Sequence, residues 1–115
     1  MSRILLSLML LNAPISQTLR ETDAQTEIRS LIHAVRKSGC EFDRNGTLYT
    51  AERAAEHLEL KYARGKRYAD SAEAFIEHLA TGSSWSGEPY WMICDGENTL
   101  AAEWLGKRLE RSQAE

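Results

Sequence analysis

The chain has 115 residues, enough for one domain with a single hydrophobic core. Its content of apolar (43%) and charged (27%) residues is that of an ordinary globular protein. The formal net charge of −3 excludes a general attraction to nucleic acid or to an anionic membrane, because proteins that bind along phosphate groups are basic.

The first 16 residues differ in composition from the rest of the chain. A short basic start, Met1–Arg3, precedes the apolar run Ile4–Leu11. Such a run spans about 12 Å as a helix, too little for a hydrocarbon core of about 30 Å, so it predicts no transmembrane segment. The order of charge and apolar residues is typical of a secretory signal, and we expect a signal peptide at residues 1–16, one domain at residues 17–115 and a periplasmic location. The alternatives are the apolar first turn of a buried helix and a start codon assigned too far downstream.

The first helix is predicted between Leu19 and Lys37, where apolar residues recur at the spacing of one helix face. Two capping boxes, which begin at Thr18 and at Thr22, compete for its start and define it only to within one turn. The residues expected on the buried face are Ala24, Ile28, Leu31, Ile32 and Val35.

A β-hairpin is predicted around Asn45-Gly46, because both residues adopt the positive φ that a two-residue hairpin turn needs. Its strands are residues 41–43 and 47–49. Side chains alternate between the two faces of a strand, so Cys40 and Phe42 share one face, and we expect that face to be buried.

Two helices follow the hairpin. Thr50 is expected to cap the first, which runs to about Arg64 and ends at Gly65. Its apolar stripe consists of Ala51, Ala54, Ala55, Leu58 and Tyr62, and its cationic flank of Arg53, His57, Lys61 and Arg64. A capping box from Asp70 to Glu73 begins the next helix, whose inward residues are Ala72, Phe75, Ile76 and Leu79.

The last third of the chain is predicted to hold a loop at residues 81–88, a strand at Tyr90–Cys94 and a helix. The Asp95-Gly96 turn is expected to lead directly into this helix, which turns inward Ala101, Ala102, Leu105 and Leu109. No internal repeat is visible in the sequence. The order α-β-β-α-α-β-α predicts an α+β fold, with four helices packed on a small antiparallel sheet of about three strands.

The chain has two cysteines, Cys40 and Cys94. They lie within disulfide range if neighbouring strands carry them, and a disulfide is expected in an exported protein. The alternative is two buried thiols in a reduced protein. The sequence has no CxxC pair and no Cys/His cluster at zinc spacing, so we expect no metal site and no cofactor.

Two polar features are candidates for binding. His57 lies beside Lys61, whose charge one helical turn away favours a neutral imidazole; a solvated helix face is the alternative. The serine loop, Thr81–Gly87, contains four hydroxyl side chains and two glycines, which suit a carboxylate, a phosphate or a polar peptide. A flexible connector is the alternative there. His33 and His78 are expected on the solvated surface.

Several of these residues recur in one pattern of four ordered segments. The segments are Cys40-x-Phe42-x-Arg44-Asn45-Gly46-x-x-Tyr49, Ala54-x-x-His57-Leu58-x-x-Lys61, Ala72-Glu73-x-Phe75-Ile76 and Ser83-Ser84-x-Ser86-Gly87-x-x-Tyr90. Together they resemble the YfeK-like proteins, short exported bacterial proteins that carry a domain of unknown function. The resemblance covers about residues 25–110. It implies export and one compact domain, and it implies no activity.

A hairpin tip, a helix flank and a loop before a strand can meet at one edge of a small domain, so we expect one polar surface there. Its members are Arg44, Asn45, Tyr49, His57, Lys61, Ser83, Ser84 and Ser86. The surface favours a non-enzymatic periplasmic binding protein without catalytic residues, such as an inhibitor or immunity protein, that recognises an anionic surface of a protein or cell-envelope ligand. The alternative is a small envelope hydrolase or transferase with His57 as base and a loop serine as nucleophile. We expect no nucleic-acid partner, and a monomer or weak dimer.

Overall fold

The computed structural model describes residues 23–114. The expected signal peptide and the two capping boxes at Thr18 and Thr22 lie outside this range. Within it, the longest helices are shorter or less apolar than a bilayer crossing requires.

The described chain forms four helical segments and one four-stranded sheet. Helix α1 covers residues 23–37 and is followed by β1 (Glu41–Arg44), β2 (Thr47–Tyr49) and α2 (Ala51–Arg64). A 3₁₀ turn (Lys66–Tyr68) leads to α3 (Ala72–Phe75), which continues as a π-helical segment (Ile76–Ala80). The last elements are β3 (Trp91–Cys94), β4 (Glu97–Leu100) and α4 (Ala101–Ala114). The sheet has the order β2-β1-β3-β4 and is antiparallel throughout, which confirms the predicted α+β fold.

Strand β4 is absent from the sequence-based prediction, which has about three strands and places the Asp95-Gly96 turn directly before the last helix. Asp95 and Gly96 have φ values of 52° and 81°, so they form the same kind of hairpin turn as Asn45 and Gly46, at 55° and 83°. The chain therefore returns antiparallel to β3 and pairs Trp91 with Leu100 before α4 begins.

The structure contains a repeat that the sequence does not reveal. Strands β1 and β3 begin fifty positions apart (41 and 91), and helices α2 and α4 do as well (51 and 101). Phe42 and Met92, which are equivalent positions, pair directly across the centre of the sheet. A local twofold axis therefore passes between them and relates the two β-hairpin–helix units. Between residues 41–64 and 91–114, only Gly46 matches Gly96 and Ala51 matches Ala101, which explains why the repeat is invisible in the sequence.

The helix starts agree with the sequence analysis at one position and differ at another. Thr50 caps α2, since its hydroxyl accepts from the backbone N–H of Arg53 at 3.2 Å. Helix α3 is capped by Ser71 and not by Asp70: the Ser71 hydroxyl accepts from the N–H of Ala74 at 3.0 Å. The cap lies one residue later than predicted because Ser71 has the extended backbone that a cap requires.

The core lies between the sheet and the helices, because α2 packs on β1 and β2 while α4 packs on β3 and β4. Its largest fully buried side chains include Phe42, Phe75, Leu58 and Leu105. The predicted stripes of the helices are buried at most positions, but Ala24, Ala51, Ile76 and Ala102 are only half-buried. Phe42 is buried as predicted, so the hairpin has one core-facing side.

A disulfide joins Cys40 to Cys94, as predicted. The two residues lie one step beyond the pair Glu41–Ile93, so they face each other across the central strands β1 and β3. Their Cα atoms are 4.5 Å apart. At the opposite end of the same two strands, one step beyond the pair Asp43–Trp91, the facing positions are Arg44 and Tyr90. The sheet therefore has a covalently closed end and a polar end.

Candidate functional site

The polar end of β1 and β3 is the candidate site, and Arg44 lies at its centre. Its side chain extends from the last residue of β1 toward α2. One guanidinium nitrogen, Nη1, lies 2.7 Å from Nδ1 of His57, and the other, Nη2, donates to the Tyr49 hydroxyl at 2.9 Å. The guanidinium carbon also lies 4.6 Å from the centroid of the Tyr49 ring. These contacts fix the orientation of Arg44 before any ligand binds.

The contact with Arg44 decides which nitrogen of His57 carries the proton. A guanidinium has only donors, and Nη1 lies nearer to Nδ1 (2.7 Å) than to Nε2 (3.1 Å), so we assign Nδ1 as the acceptor without a hydrogen. The proton then lies on Nε2, which donates to the Tyr90 hydroxyl at 3.2 Å. Neutral His57 thus accepts from the guanidinium of Arg44 and donates to the hydroxyl of Tyr90.

Tyr90 receives a second donor from Lys61. The ammonium Nζ of Lys61 lies 3.1 Å from the Tyr90 hydroxyl and 2.9 Å from the carbonyl oxygen of Gly82, and it donates to both. Because His57 and Lys61 both donate to Tyr90, the hydroxyl hydrogen of Tyr90 is not used in either bond. Tyr90 is almost fully buried, with its ring 5.1 Å from that of Phe42, so its hydroxyl oxygen is held in a fixed position at the site.

The pKa values follow from partial burial and from the two cations. Desolvation, then the charges of Arg44 and Lys61, lower the pKa of His57 to about 4, so the imidazole is neutral at pH 7. Desolvation, then Arg44, lowers the pKa of Lys61. Desolvation raises the pKa of the Tyr90 hydroxyl, with Arg44 acting in the opposite direction.

These groups line an open cleft of about 650 Å³ between the hairpin tip, α2 and the serine loop. Its cations are Arg44, Lys61 and Arg64, and its aromatic side chains include Tyr49, Tyr68 and Trp85. Among residues 23–114, no aspartate or glutamate lines this cleft. The ion pairs within the same range are formed by Arg36, Arg53 and Lys107, which lie outside the cleft. The cleft is therefore a positively charged region on a chain whose net charge is −3.

The predicted surface residues are brought together, with one difference. Seven of them line the cleft: Arg44, Asn45, Tyr49, His57, Lys61, Ser83 and Ser84. Ser86 lies outside it, on the neighbouring cleft, and its hydroxyl donates to Oδ1 of Asn45 at 2.5 Å. Ser86 therefore connects the serine loop to the hairpin tip. His33 and His78 are exposed, as expected, but His78 also lines the cleft.

The serine loop is held by its own hydrogen bonds. The Ser83 hydroxyl accepts from the N–H groups of Trp85 and Ser86, both at 3.2 Å, and the Ser86 hydroxyl accepts from Glu88 at the same distance. Backbone bonds join Ser83 to Glu88 and to Gly87. The hydroxyls of Ser83 and Ser86, which were expected to bind a ligand, thus also stabilise the conformation of the loop. In this conformation the side chain of Trp85 is exposed.

The sequence analysis missed three residues of the site: Tyr90, Trp85 and Tyr68. Tyr90 closes the last of the four segments quoted for the resemblance, which was the available signal for it. Trp85 stands at an unspecified position of that segment, so the resemblance gave no signal for it. Tyr90 was interpreted as a strand residue because Pro89 precedes an apolar run. Its hydroxyl contacts come from α2, 29 and 33 residues earlier in the chain, which no local pattern reveals.

Comparison with known proteins identifies the family of the chain. The chain matches the family of unknown function DUF5329 over residues 22–113, a range that includes every element of the cleft. The chain belongs to the DUF5329 family. It is also similar to the uncharacterized protein YfeK of Salmonella typhimurium, with 36% identity over 67 residues, 57% of this chain and 56% of YfeK.

Membership in DUF5329 confirms the resemblance noted from the four segments. The chain spans little more than half the length of YfeK, and the DUF5329 family has no assigned activity. No solved structure matches the chain.

Proposed function

We propose that this DUF5329 protein is a non-enzymatic, exported binding protein that recognises an anionic group of a protein or cell-envelope ligand. The observation that carries the proposal is the cleft itself, where Arg44 and Lys61 converge among lining residues without a carboxylate. Cations of a folded domain commonly form ion pairs, as Arg36 does with Glu52 and Glu59. The ion pairs within residues 23–114 do not involve Arg44 or Lys61, and cations in this state suit an anion supplied from outside.

The donor geometry supports a bound anion. Arg44 has five N–H donors, and its contacts with His57 and Tyr49 involve only its two terminal nitrogens. The remaining donors can bind a carboxylate or a phosphate in a bidentate manner. The hydroxyl hydrogen of Tyr90, which neither His57 nor Lys61 uses, adds a neutral donor at the same site.

Arg44 has internal partners as well, which gives it a competing structural role. Its partners are His57 and Tyr49, and not the nearby acids Asp43 and Glu88. These are neutral groups, so they orient the guanidinium without cancelling its charge. The internal contacts are therefore compatible with anion binding.

The export part of the proposal rests on the disulfide and on the sequence of residues 1–16. Disulfides persist in oxidising compartments, so the Cys40–Cys94 bond supports export. Intact-mass measurement of the protein from a periplasmic fraction tests this part. Removal of residues near 1–16 together with an oxidised disulfide is expected, and a full-length, reduced protein confined to the cytoplasm would contradict it.

An inhibitor or immunity protein for an envelope-attacking enzyme is one concrete form of the proposal, and a neighbouring gene for a secreted toxin would favour it. The geometry gives less support to the alternative hydrolase. Among residues 23–114, the hydrogen-bond partners of His57 are Arg44 and Tyr90, and they include no serine. A base with a pKa of about 4 also accepts a proton poorly at neutral pH.

The binding test uses defined anions first. NMR titrations with acetate and with inorganic phosphate are expected to shift the resonances of Arg44, Lys61 and Tyr90. Arg44→Ala and Lys61→Ala should each weaken anion binding by about 1.5–3 kcal/mol, the range for charge-assisted hydrogen bonds. Arg108→Ala is the matched control, because it removes the same charge from an exposed position on α4 that does not line the cleft.

A pull-down from periplasmic extract, with thermal melts of the same variants, extends the test to the natural partner. A partner identified by mass spectrometry should be retained by wild type and Arg108→Ala and lost by Arg44→Ala and Lys61→Ala. A large drop in melting temperature with unchanged anion binding would mean that these residues hold the fold, and the proposal would fail.

A further inference from the structure

We infer that the anionic group of the ligand is attached to a ring, and that this ring stacks on Trp85. The inference rests on the proposed function and specifies the chemical class of the ligand. The acceptable ligands are sugar or aromatic rings that carry a carboxylate or a phosphate. The anionic group would lie at Arg44 and Lys61, and the flat face of the ring would lie against the indole at the rim of the same cleft.

The first observation is the exposure of Trp85. Its side chain is 92% exposed, more than any other large hydrophobic residue in the described part of the chain. Tryptophan is among the most extensively buried residues on average, because its ring offers a large apolar area. An almost fully exposed indole therefore leaves a large apolar surface in water that a bound ring can cover.

The second observation is that the exposure is built into the loop. The N–H of Trp85 is bound by the Ser83 hydroxyl, and the Ser86 hydroxyl ties the loop to Asn45 at the hairpin tip. Further bonds close the loop between Ser83 and Glu88. The backbone that carries the indole is therefore held in place at the cleft, which reduces the entropy lost when a ligand stacks on it.

The third observation is the position of Trp85 relative to the charges. Trp85 lines the same cleft as Arg44, Lys61 and the half-exposed ring of Tyr68. A cleft of about 650 Å³ is in the size range of small-molecule sites. A ligand that only provides charge would use the cationic end and leave the aromatic rim uncovered. A ring with an attached anion uses both.

The ring requirement comes from the shape of the indole. A planar aromatic surface is covered most completely by another flat surface, either an aromatic ring or the apolar face of a sugar. Base–aromatic stacking in nucleic-acid sites is an example of such flat-face recognition that tolerates different rings. The carboxylate and the phosphate share the chemistry that Arg44 recognises, so the experiment has to distinguish them.

The test compares probes with and without a ring. NMR titration or calorimetry measures the dissociation constants of glucuronate, glucose 6-phosphate and benzoate, with acetate and inorganic phosphate as anions without a ring and glucose as a ring without charge. We expect at least one ring-bearing anion to bind ten or more times more tightly than the anion of the same charge type without a ring. Glucose should bind more weakly than every ring-bearing anion.

Variants connect this advantage to Trp85. In Trp85→Ala the advantage of the ring-bearing anion should fall to about one, while acetate and phosphate bind as in wild type. Trp85→Phe should keep part of the advantage, and Leu100→Ala, an exposed apolar residue on β4 outside the cleft, should keep all of it.

The outcomes separate the inference from the proposed function. If acetate or phosphate binds and no ring-bearing anion binds more tightly, or if the advantage survives in Trp85→Ala, the inference is wrong and the anion site stands. If none of the anions binds the wild-type protein, the proposed function fails as well. The relative affinities of glucuronate, glucose 6-phosphate and benzoate identify which ring and which anionic group the cleft prefers.

Discussion

Nη1 of Arg44 lies 2.7 Å from Nδ1 of His57, so a permanent cation donates directly to an imidazole. Protonation of His57 would remove the acceptor and place two positive charges together. Desolvation, and then this repulsion between charges, lower the pKa of His57, so the stability of the protein depends on pH in a defined window.

The first prediction concerns this window. The pKa of His57 is about 4 in the folded state and about 6.5 when unfolded, so the unfolded state binds more protons between these values. Above pH 6.5 His57 is neutral in both states, so its titration should not change the free energy of unfolding. Between pH 6.5 and about 4 this free energy should fall as the pH decreases. Melting temperatures across pH 4–7 test this. His57→Gln, which keeps an acceptor and a donor, should show a smaller decrease; equal slopes in both proteins would contradict the prediction.

The second prediction concerns Tyr90. Tyr90→Phe keeps the packing against Phe42 and removes the oxygen that accepts from His57 and Lys61. We expect the free energy of unfolding to fall by about 1–3 kcal/mol, because two donors at a partly buried site lose an acceptor. Urea unfolding measures this. Tyr49→Phe, whose hydroxyl accepts one bond from Arg44, is the control and should lose less.

The third prediction concerns the disulfide. The bond encloses a separation of 54 residues, and in the chain-entropy model its loss lowers stability by about 4 kcal/mol. Urea unfolding of the double variant Cys40→Ala, Cys94→Ala against oxidised wild type measures the effect. Alkylation followed by intact-mass analysis provides the direct check: if both thiols of the native, oxidised protein react, the bond is absent.

The fourth prediction concerns Gly65, which ends α2 with a φ of −115° and so does not need the flexibility of glycine. It is required by space, since a Cβ there would lie 2.7 Å from Cδ2 of Leu79. Gly65→Ala should destabilise the fold by about 1–3 kcal/mol. Gly106→Ala in α4, where no atom lies within 4 Å of the added Cβ, should instead stabilise it by about 0.5–1 kcal/mol. Urea unfolding of both variants decides; destabilisation of equal size at both positions would exclude the proposed contact.

Local signals predicted most of the fold. Asn45-Gly46 predicted the hairpin and Thr50 the start of α2, because these features depend on the φ preference or hydrogen bond of one residue. Strand β4 was missed because Glu97–Leu100 has a single apolar residue and lies at the edge of the sheet, so its partner β3 determines its conformation more than its own pattern does.

The candidate site was predicted in its residue types but not in its connections. The hairpin tip, α2 and the serine loop were expected to meet, and they do. The role of Tyr90 depends on the alignment of two central strands that are distant in sequence, and the exposure of Trp85 depends on a network of loop hydrogen bonds. Neither leaves a periodic pattern in the sequence.

The cross-strand disulfide also has a consequence for how accurately the cleft is assembled. Cys40 lies four residues before Arg44 on one central strand, and Cys94 lies four residues after Tyr90 on the other, so each cysteine is about 13 Å along the strand from a cleft residue. A slip of one residue between these strands would turn Arg44 or Tyr90 to the opposite face of the sheet. The covalent bond between Cys40 and Cys94 prevents that slip. Oxidation of the two thiols therefore keeps the guanidinium of Arg44 and the phenol of Tyr90 on the face of the sheet that packs against α2.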